Sequence, residues 1–289
     1  LYGATIAMLM KVMEPLGIET VFVDFCDEAA VAEPPAAAAV ERLAIDLGGG
    51  LSMEFVKIPA GKFLMGSAET EPDRQPNEGP QHEVTISKPF FMGVYPVTSE
   101  QFKQVTGGMQ GARMIGGPKY PVVGMSWDVA VEFCKTLSEK TGRTVRLPTE
   151  AEREYACRAG TTTRYPFGDD PDHALIGDYA WYDKNCEHQP PKQQKPIWLH
   201  PPGEKKPNPW GLHDMLGNVY EWCSDFYAPQ YEPGPATDPT GPAEGKAHVV
   251  RGNTHHFRRK NQAPNLRPAY RDRGNPDQGI GFRVVVEVP

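Results

Sequence analysis

NPWGLHDMLGNVYEWCSD, residues 208 to 225, is the least generic stretch of the chain and the one from which its fold is read. Gly211 and Gly217 give the backbone a freedom that side chains forbid. Leu212, Met215, Leu216, Val219, Tyr220 and Trp222 are apolar anchors, and Asp214, Asn218, Glu221 and Asp225 set oxygens among them. Neither a helical nor an alternating apolar period runs through it. It predicts a folded loop, held by side-chain to backbone hydrogen bonds or by a bound hard cation. The sequence before it reads as scaffold leading in, and the strand-like Gly281 to Val288 as scaffold closing the domain.

Outward from that loop, composition sets the bounds. A chain of 289 residues holds one large or two small domains. With 39% hydrophobic and 23% charged residues it has the makings of a globular core. Thirty basic against 37 acidic residues leave a net charge of -7, which argues against a nucleic-acid surface. Thirty prolines and 29 glycines with no repeat period point to a loop-rich fold. Cys26, Cys134, Cys157, Cys186 and Cys223 form no CxxC pair, so neither a zinc site nor a thioredoxin-type motif is supported. No stretch reaches the roughly 18 to 20 apolar residues of a membrane span. Because the chain begins at Leu1, a cleaved signal or an upstream part stays open, and with it both a bacterial-type cytoplasmic and an exported location.

Taken in order, residues 1 to 51 look unlike the rest. Ile6 to Met13 is helix-like, Thr20 to Phe25 strand-like, and Gly17 sits between them. This piece resembles a fragment of the pyridoxal-phosphate enzymes of cysteine and methionine metabolism, with no Schiff-base lysine context, and is given no catalytic role. Ala29 to Ala39 reads as linker and Glu41 to Leu47 as a short helix, so 1 to 51 is assigned as N-terminal remnant and linker. The domain proper is placed at 52 to 289. Met53 to Ser67 predicts a hairpin turning at Pro59-Ala60-Gly61, and Gln81 to Ile86 and Phe90 to Tyr95 predict further strands. Thr98 with Gln101, and Thr149 with Glu152, have capping-box spacing. Ser126 is expected to cap a helix from Trp127 to Thr141 that Gly142 ends, with Val131, Cys134, Leu137 and Ser138 on one face. A third helix, Glu150 to Ala159, is expected to stop at Gly160.

FVKIPAGKFLMGS (55–67), YPVTSEQF (95–102), YPVVGMSW (120–127), RLPTEAEREYACRAG (146–160), NPWGLHDMLGNVYEW (208–222) and GIGFRVV (279–285) together resemble the formylglycine-generating enzyme family, also called the sulfatase-modifying factor family. The motifs occur in the family's order across about residues 52 to 288. The resemblance implies an α+β fold of C-type-lectin type, loop-rich, with short strands and two to three helices. It also implies a structural calcium ion within the 208–222 loop, held by the Asp214 and Glu221 side chains and the carbonyls of Gly217 and Val219. Hard oxygens in flexible geometry suit that ion. On the other reading, Asp214 and Glu221 merely cap backbone groups.

At the catalytic positions the sequence departs from the family. The enzyme proper oxidises a substrate cysteine with copper held by two cysteines, and those positions fall here at Phe257 and Gln262. No cysteine follows Cys223. Soft Cu(I) wants thiolate or thioether ligands, which Phe and Gln cannot supply, so copper chemistry is not expected. Cys134, Cys157 and Cys223 read as buried apolar thiols. Asn253 to Arg273 stands in place of the missing site, basic and rich in donors. Asn253, Thr254, His255, His256, Phe257, Arg258, Tyr270 and Arg271 are its candidate ligand-binding residues. Such a surface suits a peptide, a protein or a small-molecule carboxylate or phosphate. The opposing reading makes Arg267, Arg271 and Arg273 structural. His82 and His213 are read as scaffold. A metal at His255-His256 lacks a third ligand, and adjacent residues in extended chain face opposite ways.

These observations point to a ligand- or peptide-binding pseudoenzyme of the family. Two alternatives stand beside it. One is an enzyme that oxidises a peptide or small-molecule thiol, of formylglycine-generating or sulfoxide-synthase type, although the helical iron-binding domain that sulfoxide synthases add is not present in residues 1 to 51. The other is a retroelement-diversified binding protein, whose variable residues would fall between Asn253 and Tyr270.

Overall fold

Three helices begin where their caps predict. In α1 (Ser99–Thr106) the Thr98 hydroxyl accepts from Gln101 N–H and the Gln101 side chain accepts from Thr98 N–H, so two backbone donors that the helix cannot satisfy are paired. Ser126 caps α2 (Trp127–Thr141), and Gly142 ends it with φ of 66°. Thr149 and Glu152 close the second capping box on α3 (Glu150–Arg158). Ala159 rather than Gly160 takes the left-handed C-cap of α3, at φ 50°. A short α4 (Ile176–Tyr179) follows.

These elements belong to a computed structural model that describes residues 40–186, 198–253, 263–275 and 279–288, all within a unit running from Ala39 to Pro289. The pyridoxal-enzyme resemblance and the linker lie outside the described residues.

The central sheet has the order β1-β2-β5-β11-β6, all antiparallel, from β1 (Arg42–Gly48), β2 (Leu51–Ile58), β5 (Phe90–Gly93), β11 (Val285–Glu287) and β6 (Val145–Arg146). Its inner strands are apolar on both faces because both are covered. Phe55, Val284 and Val286 join a cluster with Phe102 of α1 and Phe133 of α2. Val56, Ile58, Met92 and Val285 face the other way, onto a cluster with Tyr155 and Ala156 of α3 and with Leu212 and Leu216. Two three-stranded sheets flank it, β3-β4-β8 (β3 Gly61–Met65, β4 His82–Ile86, β8 Ala236–Thr237) and β10-β9-β7 (β7 Glu221–Phe226, β9 His248–Arg251, β10 Asp272–Arg273). The fold is α+β, as expected. Among the described residues no helix is long and apolar enough to cross a membrane.

Three expectations are corrected. Glu41 to Leu47 is not a helix: Arg42–Gly48 is an edge strand in register with β2, pairing Ile45 with Met53, so the folded unit begins some ten residues before residue 52. Its apolar residues supply one core position, Ile45, and its ladder comes from β2. Met53 to Ser67 contains two strands but no hairpin, since β2 pairs with β1 and β5 while β3 pairs with β4 in another sheet. On α2 the buried face is Ala130, Phe133, Cys134 and Leu137, so Val131 and Ser138 sit at its margin.

Candidate functional site

The 208–221 loop is held by its own side chains. Asn208 Oδ1 accepts from the N–H groups of Trp210 and Leu212, and its Nδ2 donates to the carbonyls of Ala156 and Cys157, which ties the loop to the end of α3. Asp214, Gly217 and Asn218 all adopt positive φ. At Gly217 a Cβ would lie 2.2 Å from Trp181 O, so only glycine fits there.

Glu221, at 0% exposure, closes the loop. Its Oε2 accepts from Arg153 Nε at 2.7 Å and Arg283 Nε at 2.8 Å, and its Oε1 from Arg283 Nη2 at 2.8 Å. Burial pushes its pKa up, but the two guanidinium groups outweigh it and hold Glu221 below the usual carboxylate range. Asp214 Oδ2 accepts from Gly203 N–H at 2.7 Å and its Oδ1 from Asn218 at 3.3 Å; burial raises its pKa. Gly217 O accepts from Val219 N–H. As arranged, these groups do not fit the expected calcium ion, because both oxygens of Glu221, its strongest ligand, already face guanidinium groups.

A second buried network spans α3 and the C-terminal segment. Arg271 makes a two-pronged contact with Glu150, at 2.7 and 2.8 Å. Arg251 bridges Glu150 and Glu154, and Glu154 also pairs with Arg158. Arg267 grips Glu78 through both terminal nitrogens and reaches Glu71. Arg271, one of the candidate ligand-binding residues, is 2% exposed and its charge is met by Glu150, as the structural reading of this arginine expects. Asn253 and Tyr270 are likewise buried, at 3% and 6%. Thr254, His255, His256, Phe257 and Arg258 lie outside the described residues, as do Phe257 and Gln262 as copper positions.

Beside this segment runs an open groove of about 970 Å³, bordered by Asn77, Tyr227, Tyr231, Tyr270, Arg271 and Asp272. The Arg271 guanidinium lies 4.9 Å from the Tyr227 ring centre and 4.3 Å from that of Tyr231. Asn77 Nδ2 donates to Tyr227 Oη and Arg271 O, while its Oδ1 is buried without a partner.

The cysteines offer no comparable chemistry. Cys134, Cys157, Cys186 and Cys223 are buried. Burial pushes the thiols of Cys134, Cys157 and Cys223 up, away from the reactive thiolate. Among the described residues no three His, Cys, Asp or Glu side chains group to hold a metal ion.

Sequence reasoning did not pick out Arg153 or Arg283 as the frame of the loop, Glu150 and Arg251 as members of the second network, nor Asn77 and Tyr227 as groove walls. The one available signal was the density of charge in EAEREYACR, which reads as solvent-facing.

This fold and loop define a sulfatase-modifying-factor type of protein. The family model described as "Sulfatase-modifying factor enzyme 1-like domain" matches residues 50–288, and the chain belongs to that family. It is 34% identical over 264 residues to "Serine/threonine-protein kinase pkn1" of Chlamydia caviae, with 81% of this chain and 38% of that protein covered. The chain thus spans less than half the length of that relative. Against the formylglycine-generating enzyme of Streptomyces coelicolor it is 29% identical, covering 79% of this chain and 87% of the enzyme. Among solved structures, PvdO from Pseudomonas aeruginosa superposes with a TM-score of 0.69 at 30% identity, over 85% of this chain and 98% of that one. Treponema denticola variable protein 1 superposes with a TM-score of 0.67 at 25% identity, over 86% of this chain and 99% of that one.

Proposed function

We propose that this chain is a non-copper member of the family that binds a peptide in the groove beside Tyr270 to Asp272. The observation that carries this reading is the open groove of about 970 Å³ walled by Tyr227, Tyr231 and Tyr270. Tyrosines give large contact area at small entropic cost, and an extended peptide brings backbone N–H donors at regular spacing. The buried, high-pKa thiols and the absence of cysteine after Cys223 support loss of the copper reaction.

The test is selection of peptides from a random display library on the folded chain, followed by calorimetry of the selected peptide. Asn77→Leu and Tyr227→Ala should each weaken binding by about tenfold or more, equivalent to about 1.4 kcal/mol. Affinity unchanged in both variants places the site elsewhere. A parallel assay with a sulfatase-type cysteine peptide, copper and oxygen should yield no formylglycine by mass spectrometry, and product would overturn the reading.

The likeness to a variable protein of Treponema denticola favours a second reading, that the segment between Asn253 and Tyr270 is diversified. A near-identical template repeat next to the coding sequence supports it, and an unaccompanied gene counts against it.

A further inference from the structure

The charge beside Glu221 needs an explanation, because a single ionised carboxylate there faces two buried guanidinium groups. Arg283 is spoken for by the scaffold: it also donates to the carbonyls of Gly93, Val94 and His213. Arg153 is different. It stands on α3 at 1% exposure and sends its guanidinium into the loop, where Nε meets Glu221 Oε2 at 2.7 Å and Nη2 meets Met215 O at 2.9 Å. The point where a Cβ on Gly252 would sit lies 3.2 Å from Arg153 Nη2, 3.2 Å from Val219 O and 3.6 Å from Met215 O. Guanidinium, two loop carbonyls and a carboxylate thus converge on one small volume, with Gly252 leaving room for them.

That arrangement has the composition of a hard-cation site, a carboxylate plus backbone carbonyls. The cation in it is a side chain. A calcium ion would have to displace a guanidinium from Glu221 and then sit against its positive charge in a buried setting, where such repulsion is weakly screened. We propose that Arg153 is the resident cation of this loop: its guanidinium takes the position calcium would need beside Glu221 and makes the fold independent of calcium. The covalent tether supplies one positive charge, five donors and no dependence on ion concentration.

The experiment is a thermal melt of the full chain in EDTA and in about 5 mM calcium, above the dissociation range of weak calcium modules. The wild type should melt within about 1 °C in the two conditions, as expected when no ligand distinguishes folded from unfolded chain. Arg153→Gln should melt about 10 °C lower, as for loss of one partner of a buried pair. Calcium, and not magnesium, should restore part of that loss. Arg153→Lys, which keeps a cation, should melt between the two and ignore calcium. A wild-type Tm that falls in EDTA and returns with calcium overturns the proposal, and so does an Arg153→Gln variant whose Tm ignores calcium. If Arg153→Gln does not fold, the wild type and Arg153→Lys decide the matter, because a calcium-dependent melt of either overturns it.

Discussion

Asp225 holds a buried carboxyl next to an already ionised neighbour. It is 4% exposed, caps α3 by accepting from Glu150 N–H at 2.9 Å, and accepts from Ser224 Oγ. Burial first, and then the negative charge of Glu150, push its pKa from 3.8 to about 7. Between those values the folded chain carries the proton and the unfolded chain does not. Stability therefore falls as pH rises from about 4 to about 7, by up to about 4 kcal/mol at 1.36 kcal/mol per pH unit. Asp225→Asn should flatten that slope, leaving it nearly as stable at pH 8 as at pH 5, and urea midpoints across the range would show it. An unchanged slope would mean that Asp225 does not titrate in this window. At this scale the sequence was only partly legible. Asp214, Gly217, Val219 and Glu221 were recognisable as one loop, but the pairing of Glu221 with Arg153 joins residues 68 apart, a partnership that no local spacing encodes. Arg271 was visible as a charge and not as the partner of Glu150, 121 residues away.

At the scale of elements, helices and strands were legible to different degrees. The helices announced themselves through Thr98, Ser126 and Thr149, because a cap is a contact between residues three apart. Strands depend on partners elsewhere, so β3 was visible as a strand while its pairing with β4 was not. The charges of α3 suggest a surface helix, yet all nine of its residues are buried, since Glu150, Glu154, Arg153 and Arg158 find opposite charges on other segments or on one another. The misread β1 gives a direct test. A chain starting at Ala39 should keep the full stability of the described unit. One starting at Ser52 loses the burial of Ile45 and the flanking Leu43 and Leu47, about 4 kcal/mol and roughly 10 °C in Tm. Equal melting temperatures for the two truncations would remove β1 from the fold's essential parts.

For the whole molecule, the long sequence separations dominate. The central sheet is completed by β11, which lies between β5 and β6 and pairs with Phe90, Phe91 and Met92 on one side and with Val145 and Arg146 on the other. Val284, Val285 and Val286 are fully buried, in both core clusters. Deleting residues from Val284 onward should abolish cooperative unfolding altogether, leaving a broad melt and a one-dimensional NMR spectrum without dispersed methyl signals. A sharp melt would show that the two cores close without it.

The same strand governs what happens while the polypeptide is being made. Phe90 and Arg146 leave the ribosome long before Val285 exists, and until it does the sheet has a slot between β5 and β6 and two exposed strand edges. At about 5 to 20 residues per second, the gap of nearly 140 residues after Arg146 keeps that slot open for roughly 7 to 30 s. For that interval the nascent chain exposes apolar surface and unpaired strand edges, the features that make unfinished chains prone to aggregate and that chaperones cover.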